Sequence, residues 1–223
     1  MSPLQETRVT VALVPRERFA LTPRVLDALF LHTHVPFRLL VIDGGAPRRF
    51  AEELEGLARE HQFQLVRASG YLSPNQARNL ATGYVQTEYV VFIDNDVVVT
   101  EGWLEALMAC ADETGAAIVT PLTCQGPKLH REIHCAGGEL YIERRRTASG
   151  RETRHLLEKM FHQGDRVDDT RAKLVRQRTA LAEFHCVLVS TSALKDLGGF
   201  DEGFLSTKEH LDFCLSAAER GHE

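Results

Sequence analysis

The sequence predicts an α/β protein with a mostly parallel central sheet and helices on both faces. Short apolar runs typical of buried strands recur through residues 1–120, and segments with helical spacing of apolar residues separate them. Because neighbouring parallel strands need a long crossover connection that is most often a helix, this alternation indicates βαβ units and a sheet that is covered on both faces.

The first half of the chain contains five predicted strands and four predicted helices. A buried strand at residues 9–14 ends at Pro15, and a helix at residues 21–34 has Thr22 and Pro23 as its start signal. The later predicted elements are a strand at 37–42, a helix from 47 to about 61, a strand at 63–67, a helix from 74 to about 85, a strand at 88–93, a helix from about 100 to 114 and a strand at 116–120.

The pattern becomes irregular after Pro121. The predicted elements there are an exposed strand at 134–143, a buried strand at 183–190, a short helix at 192–197 and a last helix to about residue 220, capped by Ser206 or Thr207. Residues 144–178 contain 11 basic and 5 acidic side chains, although the whole chain has a formal net charge of −5. We interpret this segment as a solvated basic loop, with a flap that contacts phosphate groups or a membrane surface as the alternative.

Composition and motifs exclude several classes of protein. No apolar run approaches the roughly 18 residues that a membrane-spanning helix needs, and the first residues lack a secretory leader pattern. Neither G-x-G-x-x-G nor G-x-x-x-x-G-K-[ST] is present, which argues against a dinucleotide enzyme or a P-loop NTPase. Five cysteines without disulfide-framework spacing favour a reducing, cytoplasmic compartment. The excess basic charge is confined to one segment, which argues against nucleic-acid binding.

Acidic side chains follow two of the predicted strands and begin the last helix. Asp43 follows the second strand, Asp94 and Asp96 follow the fourth, and Glu209 and Asp212 lie in the first turn of the last helix. Open α/β sheets bind ligands beyond the carboxyl ends of their strands, where such carboxylates can hold a divalent cation and, through it, a diphosphate. The alternative is a turn or capping role for the aspartates and a favourable interaction with the helix dipole for the two helix carboxylates.

Four motifs resemble those of inverting family 2 glycosyltransferases of the GT-A fold. They are N-Q-A-R-N-L-A at 75–81, E-Y-V-V-F-I-D-N-D at 88–96, L-G-G-F-D-E-G-F at 197–204 and E-H-L-D-F-C-L at 209–215. The resemblance extends from about residue 9 to about residue 221. Together with the element pattern, it implies one GT-A domain over residues 1–223, with a nucleotide-binding half to about 120 and an acceptor half that contains the basic loop 144–178.

The resemblance also implies an activity and a set of ligand contacts. The activity is metal-assisted transfer of a sugar, with inversion, from a nucleoside diphosphate sugar, with uridine as the default base, to a hydroxyl of a glycan, lipid or protein acceptor. Mn²⁺ or Mg²⁺ is assigned to Asp96, with Asp94 as the second carboxylate. The residues assigned to the nucleotide sugar are Val14, Pro15, Asp43, Arg78, Asn79 and Asp94. From the pattern alone, Arg78 could equally be an exposed helix residue. Contact with the inner membrane face is an open alternative to a fully cytoplasmic location.

The general base is expected at the start of the last helix, where the family has E-D-x-D and this chain has Glu209, His210 and Asp212. We expect Glu209 to be the base, with Asp212 next and the His210 imidazole, which titrates near neutrality, as a third candidate. His210 replaces an aspartate, and residues 43–46 (D-G-G-A) have one acidic group fewer than the D-D-G-S of the family. These departures leave a second hypothesis open: a glycosyltransferase-like domain that binds nucleotide sugars without turnover.

Three further alternatives concern the C-terminal end of the chain, a second class of enzyme and a zinc site. Family members usually continue beyond the last helix, so we expect either a C-terminally truncated chain or a metal shell completed by other residues. A sugar-nucleotide pyrophosphorylase is the weaker enzyme alternative, because residues 15–18 contain no glycine for a phosphate loop. Cys124, His130, His134 and Cys135 are zinc-ligand types, but the spacing C-x5-H-x3-H-C matches no usual zinc site. The resemblance implies that this stretch lies near the acceptor side of the cleft, and we expect His185, inside a strand, to be a packed core or cleft-wall residue rather than a ligand.

Overall fold

A computed structural model of the chain describes residues 6–14, 18–205 and 207–223. The strands are β1 (Val9–Val14), β2 (Phe37–Asp43), β3 (Gln64–Arg67), β4 (Tyr89–Asp94), β5 (Ile118–Val119), β6 (Thr123–Gln125), β7 (Glu132–Cys135), β8 (Gly138–Arg146), β9 (Glu152–Met160) and β10 (Cys186–Ser190). The α-helices are α1 (Thr22–His32), α2 (Arg48–His61), α3 (Pro74–Thr82), α4 (Trp103–Thr114), α5 (Val167–Thr170), α6 (Thr191–Leu197) and α7 (Glu209–Glu219).

The central sheet has the strand order β3-β2-β1-β4-β10-β5. Strands β1 to β4 are parallel, and β10 runs antiparallel to its neighbours β4 and β5. Every residue of β1 and β4 is buried, which explains their unbroken apolar runs, since both faces of a central parallel strand lie against other elements. The predicted α/β class and mostly parallel sheet are therefore confirmed.

Two apolar cores lie on opposite faces of the sheet. Alternate residues of β1 contribute to different cores: Val11 packs with residues of α1, α2 and α4, whereas Ala12 packs with residues of α3, α6 and α7. This alternation is the two-residue period of a strand. The expectation of helices on both faces is confirmed.

The basic segment differs from the prediction, because part of it is a β-hairpin and not a loop. Nine residue pairs join β8 to β9, and most of their side chains are exposed or half-buried. Charge does not prevent a strand here, since opposite charges pair across it, as in Arg144 and Glu152 (3.3 Å). The predicted strand at 134–143 is two strands, β7 and β8, separated at Gly137, whose φ of +83° favours glycine.

Two helix starts lie later than predicted. Helix α4 begins after Gly102, which has a φ of +71°, and not at Thr100. Helix α7 begins after Lys208 and not after a cap at Thr207, whereas Ser206, the other predicted cap, lies outside the described residues. In these cases the backbone turns through a left-handed residue at the N-cap, where a short polar side chain had been expected.

The strand predicted at 183–190 begins only at Cys186. Glu183 and His185 therefore lie in the segment before β10, and the expectation that His185 belongs to a strand is wrong. Among the described residues, no helix combines the length and apolar character needed to span a bilayer.

Candidate active site

The carboxyl ends of the parallel strands carry three of the predicted site residues. Val14 ends β1 and pairs with Asp94, the last residue of β4. Asp43 ends β2, on the other side of β1. Pro15 lies outside the described residues. Parallel alignment thus places two carboxylates that are distant in sequence along one edge of the sheet.

Asp43 is buried, and neighbouring groups bind both of its carboxylate oxygens. The backbone N–H groups of Gly45 (3.2 Å) and Ala46 (2.8 Å) donate to Oδ1, and Nε of Arg67 donates to Oδ2 (2.9 Å). Arg67 also donates to Glu55. The turn role that the sequence left open for Asp43 is therefore present, while its contact with a nucleotide stays a prediction.

Arg78 is a buried residue, so the alternative of an exposed helix position is wrong. Helix α3 begins with a capping box, in which the Ser73 hydroxyl accepts from the Gln76 N–H and the Gln76 side chain accepts from the Ser73 N–H. This cap fixes the start of the helix, and Arg78 follows one turn later with only 1% of its side chain exposed.

The Arg78 guanidinium lies between two buried carboxylates. Its nitrogen atoms are 3.6 Å from Oδ1 of Asp94 and 3.8 Å from Oε1 of Glu209, and it donates a hydrogen bond to Oδ1 of Asn75 (3.0 Å). The guanidinium carbon is 4.7 Å from the ring centroid of Phe184, within cation–π range. We call Arg78, Asp94 and Glu209 the buried arginine cluster. It joins residues from α3, β4 and α7 in one ionic group.

Asn79 holds the loop that follows α6. Its side-chain amide donates to the carbonyl of Phe200 (2.9 Å) and to Glu202 (2.9 Å), and its Oδ1 accepts from the Phe200 N–H (2.9 Å). These bonds use the amide in both directions. The structure thus gives Asn79 a positioning role for the loop, and its predicted contact with the nucleotide sugar stays a prediction.

Asp96 lies in a more open environment than Asp94. Its side chain is 25% exposed and forms an ion pair with Arg18 (3.3 Å). Both residues line a cavity of about 350 Å³ whose wall also includes Trp103, His134 and His185. Asp96 is therefore the carboxylate of the Asp94-Asn95-Asp96 segment that a ligand in this cavity can reach.

The three base candidates occupy three different environments. Glu209 is buried beside Arg78. His210 Nε2 is 2.8 Å from Oε2 of Glu158 on β9, so its side chain connects α7 to the β8–β9 hairpin. Burial and the charges of Asp201 and Glu219 raise the pKa of Asp212. None of the three belongs to the described lining of the cavity beside Asp96.

The sequence of the chain was compared with known protein families. The family model described as glycosyl transferase family 2 matches residues 16–196.

The chain belongs to this family.

Two curated relatives, both named pre-mycofactocin glycosyltransferase, come from Mycobacterium tuberculosis strains CDC 1551 / Oshkosh and H37Rv. Each is 24% identical over 184 residues, which cover 82% of this chain and 34% of the relative. The family 2 chain described here thus spans about a third of the length of these relatives.

Solved structures show the fold. A mannosyltransferase from Pyrobaculum calidifontis, PcManGT, in complex with GDP-Man and Mn²⁺, has a TM-score of 0.63 and 15% identity, covering 95% of this chain and 51% of its own. S. aureus TarS 1-349 in complex with UDP-GlcNAc has a TM-score of 0.62 and 15% identity, covering 93% and 52%. The predicted GT-A fold is confirmed by these similarities.

A divalent cation fits the side chains at the cavity wall. Asp96 offers a partly exposed carboxylate, the ligand type that Mg²⁺ and Mn²⁺ prefer, and its salt-bridge partner Arg18 is mostly exposed and can be displaced. Asp94 is directed towards Arg78 instead. Of the two predicted metal ligands, Asp96 has the environment of a direct ligand.

Sequence reasoning did not predict a group of three side chains of this family 2 chain, of which two, His134 and His185, line the cavity. His134, Glu183 and His185 offer ligand atoms that all lie within 4.8 Å of one another. The signal in the sequence was an acidic residue two positions before a histidine, which is too common to predict a site. Of the four zinc-type residues at 124–135, only His134 joins the group, whereas His130 is bound to the Val98 carbonyl (3.0 Å).

Proposed function

We propose that this chain transfers a glycosyl group from a nucleoside diphosphate sugar to an acceptor hydroxyl, with inversion and with assistance from a divalent cation. One observation carries the proposal: the β4 end directs a partly exposed carboxylate, Asp96, into a cavity at the edge where α/β sheets bind ligands. Membership of family 2 gives the reaction class. The complexes of PcManGT with GDP-Man and Mn²⁺ and of TarS with UDP-GlcNAc support a nucleotide sugar as the donor.

The proposed roles follow from the environment of each residue. Asp96 would hold the cation, which would supply positive charge for the leaving diphosphate. Asp94 orients the sugar or ribose, and Arg78 holds Asp94 in place. Asp43 and Val14 form the nucleoside side of the site, while Asn79 supports the loop at Phe200.

The chemical step is a single displacement at the anomeric carbon. The acceptor oxygen forms a bond to this carbon while the bond to the diphosphate oxygen breaks, and the leaving group takes the electron pair. The proton of the acceptor hydroxyl passes to a base from the start of α7. We propose Glu209 for this role, because it is the first residue of α7 and its Oε1 lies 3.8 Å from Arg78 in the group that also holds Asp94, with Asp212 and His210 as the other candidates.

A binding domain without turnover is the second candidate function. His210, which replaces the family's aspartate, is already bound by Glu158, and Glu209 is buried. Both observations favour a site in which the acceptor side has lost its base.

Donor binding and turnover can be measured separately. We expect Mn²⁺ with UDP or GDP to raise the melting temperature, and Asp96→Ala to abolish this shift while Asp212→Ala retains it. Hydrolysis of UDP- or GDP-sugars in the absence of acceptor then separates an enzyme from a binding domain. The absence of a shift with any nucleoside diphosphate would contradict both candidate functions.

The base assignment needs its own test, once a donor is known. We expect Glu209→Gln to lower kcat by about 100-fold or more at little change in donor binding, because general base catalysis contributes about 10²–10⁴-fold. Asp212→Asn is the parallel test of the second candidate, one turn away on the same helix, and should lower kcat less than Glu209→Gln does. Full activity of the Glu209 variant would exclude it as the base.

We also propose a cytoplasmic location for this reaction, with peripheral contact to the inner membrane face. The β8–β9 hairpin carries Arg144, Arg145 and Arg146 on an exposed edge, and it is the surface that would contact anionic lipid. Binding of the protein to vesicles with and without phosphatidylserine tests this part of the proposal.

A further inference from the structure

Two histidines of the cavity wall meet a buried glutamate behind them, and none of the three has a part in the proposed transfer. His134 lies on β7, and Glu183 and His185 lie just before β10. Their side chains offer two imidazole nitrogens and one carboxylate oxygen within 4.8 Å of one another. We propose that these three residues bind a divalent transition-metal ion, best suited to Zn²⁺, at a site separate from Asp96.

The ligand types select this class of metal. Two histidines with one carboxylate is a donor set of catalytic zinc sites and of other sites for borderline divalent ions, whereas Mg²⁺ and Ca²⁺ prefer oxygen alone. Around Zn²⁺, bonds of about 2.0–2.2 Å place ligand atoms roughly 3.3–3.5 Å apart. The most widely spaced ligand atoms of the group therefore need to approach by about 1.5 Å at most, whereas the hydrogen-bonded atoms of Glu183 and His185 need to move apart to make room for the ion.

The backbone around the group is well anchored. The backbone N–H of Asp94 donates to the carbonyl of His185 (3.0 Å), which ties the segment before β10 to the end of β4. Glu183 accepts from the backbone N–H of His185 (2.8 Å) and from its ring Nδ1. In the metal-bound state the ion replaces the Nδ1 proton between these two side chains.

His134 is already oriented as a metal ligand. Its Nδ1 is 3.0 Å from Oε1 of Gln125, and the other end of this amide donates to Glu132 (2.7 Å). Because the amide oxygen can only accept, His134 carries its proton on Nδ1 and presents a lone pair on Nε2. A ring N–H bound to an outer acceptor is the usual arrangement around a metal-bound histidine.

The charge distribution also favours a cation. Glu183 is a buried carboxylate that lies directly beside His185, so the ligand set itself contains an acidic group. The carboxylates of Asp94 and Asp96 add negative potential at His185.

An ion bound by three protein ligands keeps positions open for other ligands. His134 and His185 line the same cavity as Asp96, so these positions face the space in which the nucleotide sugar is proposed to bind. The metal site does not depend on glycosyl transfer and remains testable if the protein has no turnover.

The test measures metal content and affinity in tag-free protein. We expect chelator-stripped wild type to take up about one Zn²⁺ per chain by mass spectrometry of metals after dialysis. His134→Gln, Glu183→Gln and His185→Gln should each weaken Zn²⁺ binding by more than about 100-fold. Gln125→Leu should weaken it by about 10–100-fold, as is usual for a residue that orients a ligand.

Matched controls separate this site from its neighbours. His130→Gln, Asp96→Asn and Cys124→Ser change residues of the same cavity wall and should retain Zn²⁺ binding. Loss of binding in Asp96→Asn or Cys124→Ser but not in the histidine variants would overturn the proposal, as would wild type that retains no ion.

Cobalt substitution tests the ligand set without any variant. Co²⁺ bound by nitrogen and oxygen gives visible d–d absorption and no sulfur-to-metal charge-transfer band. A charge-transfer band would show a thiolate ligand and overturn the assignment, because the proposed set contains no cysteine.

Discussion

The two sides of the segment Asp94-Asn95-Asp96 differ in solvent exposure and in what their charges do. On the buried side, Asp94 and Arg78 have 4% and 1% of their side chains exposed, and Glu209 completes the buried arginine cluster. On the open side, Asp96 is 25% exposed and its partner Arg18 is 69% exposed. Buried charges interact strongly and must stay paired, whereas exposed ones exchange partners at little cost. One short motif thus supplies a fixed structural charge and an available ligand.

The largest expected effect is the removal of the buried cation. Arg78→Met should lower the free energy of unfolding by about 3–5 kcal/mol, because it leaves Asp94 and Glu209 as buried charges without this partner. Urea denaturation measures the change. Arg18→Met is the matched control on the open side and should change stability by less than about 1 kcal/mol. Equal effects of the two substitutions would contradict the difference between the sides.

A smaller effect is expected in the loop that covers the buried side. Gly199 has a φ of +90°, and a Cβ there would lie 2.7 Å from Oδ1 of Asn79. Gly199→Ala should therefore destabilise the protein by about 2–3 kcal/mol, combining backbone strain with the displaced Asn79 clamp. Gly198 has a φ of +81°, but a Cβ there would lie in open space. Gly198→Ala should therefore destabilise the protein by only about 1 kcal/mol. The difference in unfolding free energy between the two variants, measured by thermal or urea unfolding, gives the steric contribution at Gly199.

Substitution of each of the two aspartates by asparagine sharpens the comparison, because stability and ligand binding can be measured on the same variants. Asp94→Asn should cost about 1–3 kcal/mol of stability, because it removes a charged partner of buried Arg78. Asp96→Asn should change stability by less than about 0.5 kcal/mol, yet abolish the Mn²⁺-dependent binding of a nucleoside diphosphate. Denaturation and calorimetric titration on the same preparations check both. A large stability loss for Asp96→Asn would show that this side is structural as well.

The smallest effect concerns a surface ion pair and its pH dependence. Arg8 donates to both carboxylate oxygens of Asp112 (2.8 and 2.7 Å), and these bonds, followed by one from Tyr89, lower the pKa of Asp112 to about 2. Because the folded pKa is depressed, the stabilisation is complete above about pH 4 and is lost as the pH falls towards 2. Asp112 is 39% exposed, so less than about 1 kcal/mol is expected.

Urea midpoints of wild type and Asp112→Asn at pH 6 and pH 3 measure how much the Arg8–Asp112 ion pair stabilises the protein. The difference between the two proteins should shrink at pH 3. A difference that stays constant would mean that the ion pair does not contribute through the charge of Asp112.

The regular half of the chain was predictable because local patterns decide it. The period of apolar residues and signals such as Ser73-Pro74 fixed the order of β1 to β4 and α1 to α4 to within a few residues. The second half was less predictable. The β8–β9 hairpin is mostly exposed or half-buried and carries exposed apolar side chains such as Tyr141 and Ile142, so its sequence lacks the apolar pattern of a buried strand. The starts of α4 and α7 use left-handed residues at the N-cap, which composition does not reveal.

The candidate site divides in the same way. Asp43, Asp94 and Asp96 were predictable, because a polar residue after an apolar run marks the end of a strand. The cluster at His134, Glu183 and His185 was not, since β7 and the segment before β10 are 49 positions apart and meet only in the folded chain. The sequence also could not predict the environments of Glu209, His210 and Asp212, because nearby positions on a helix face different neighbours.

The sequence by itself determined the class of fold, the strand ends that carry carboxylates and the family-like motifs, since each depends on residues that are close along the chain. Tertiary structure decided which charge is buried and which is accessible. Burial depends on what the rest of the chain places around a residue, so Asp94 and Asp96, two positions apart, can be distinguished only after α3, α7 and the cavity wall have packed around them.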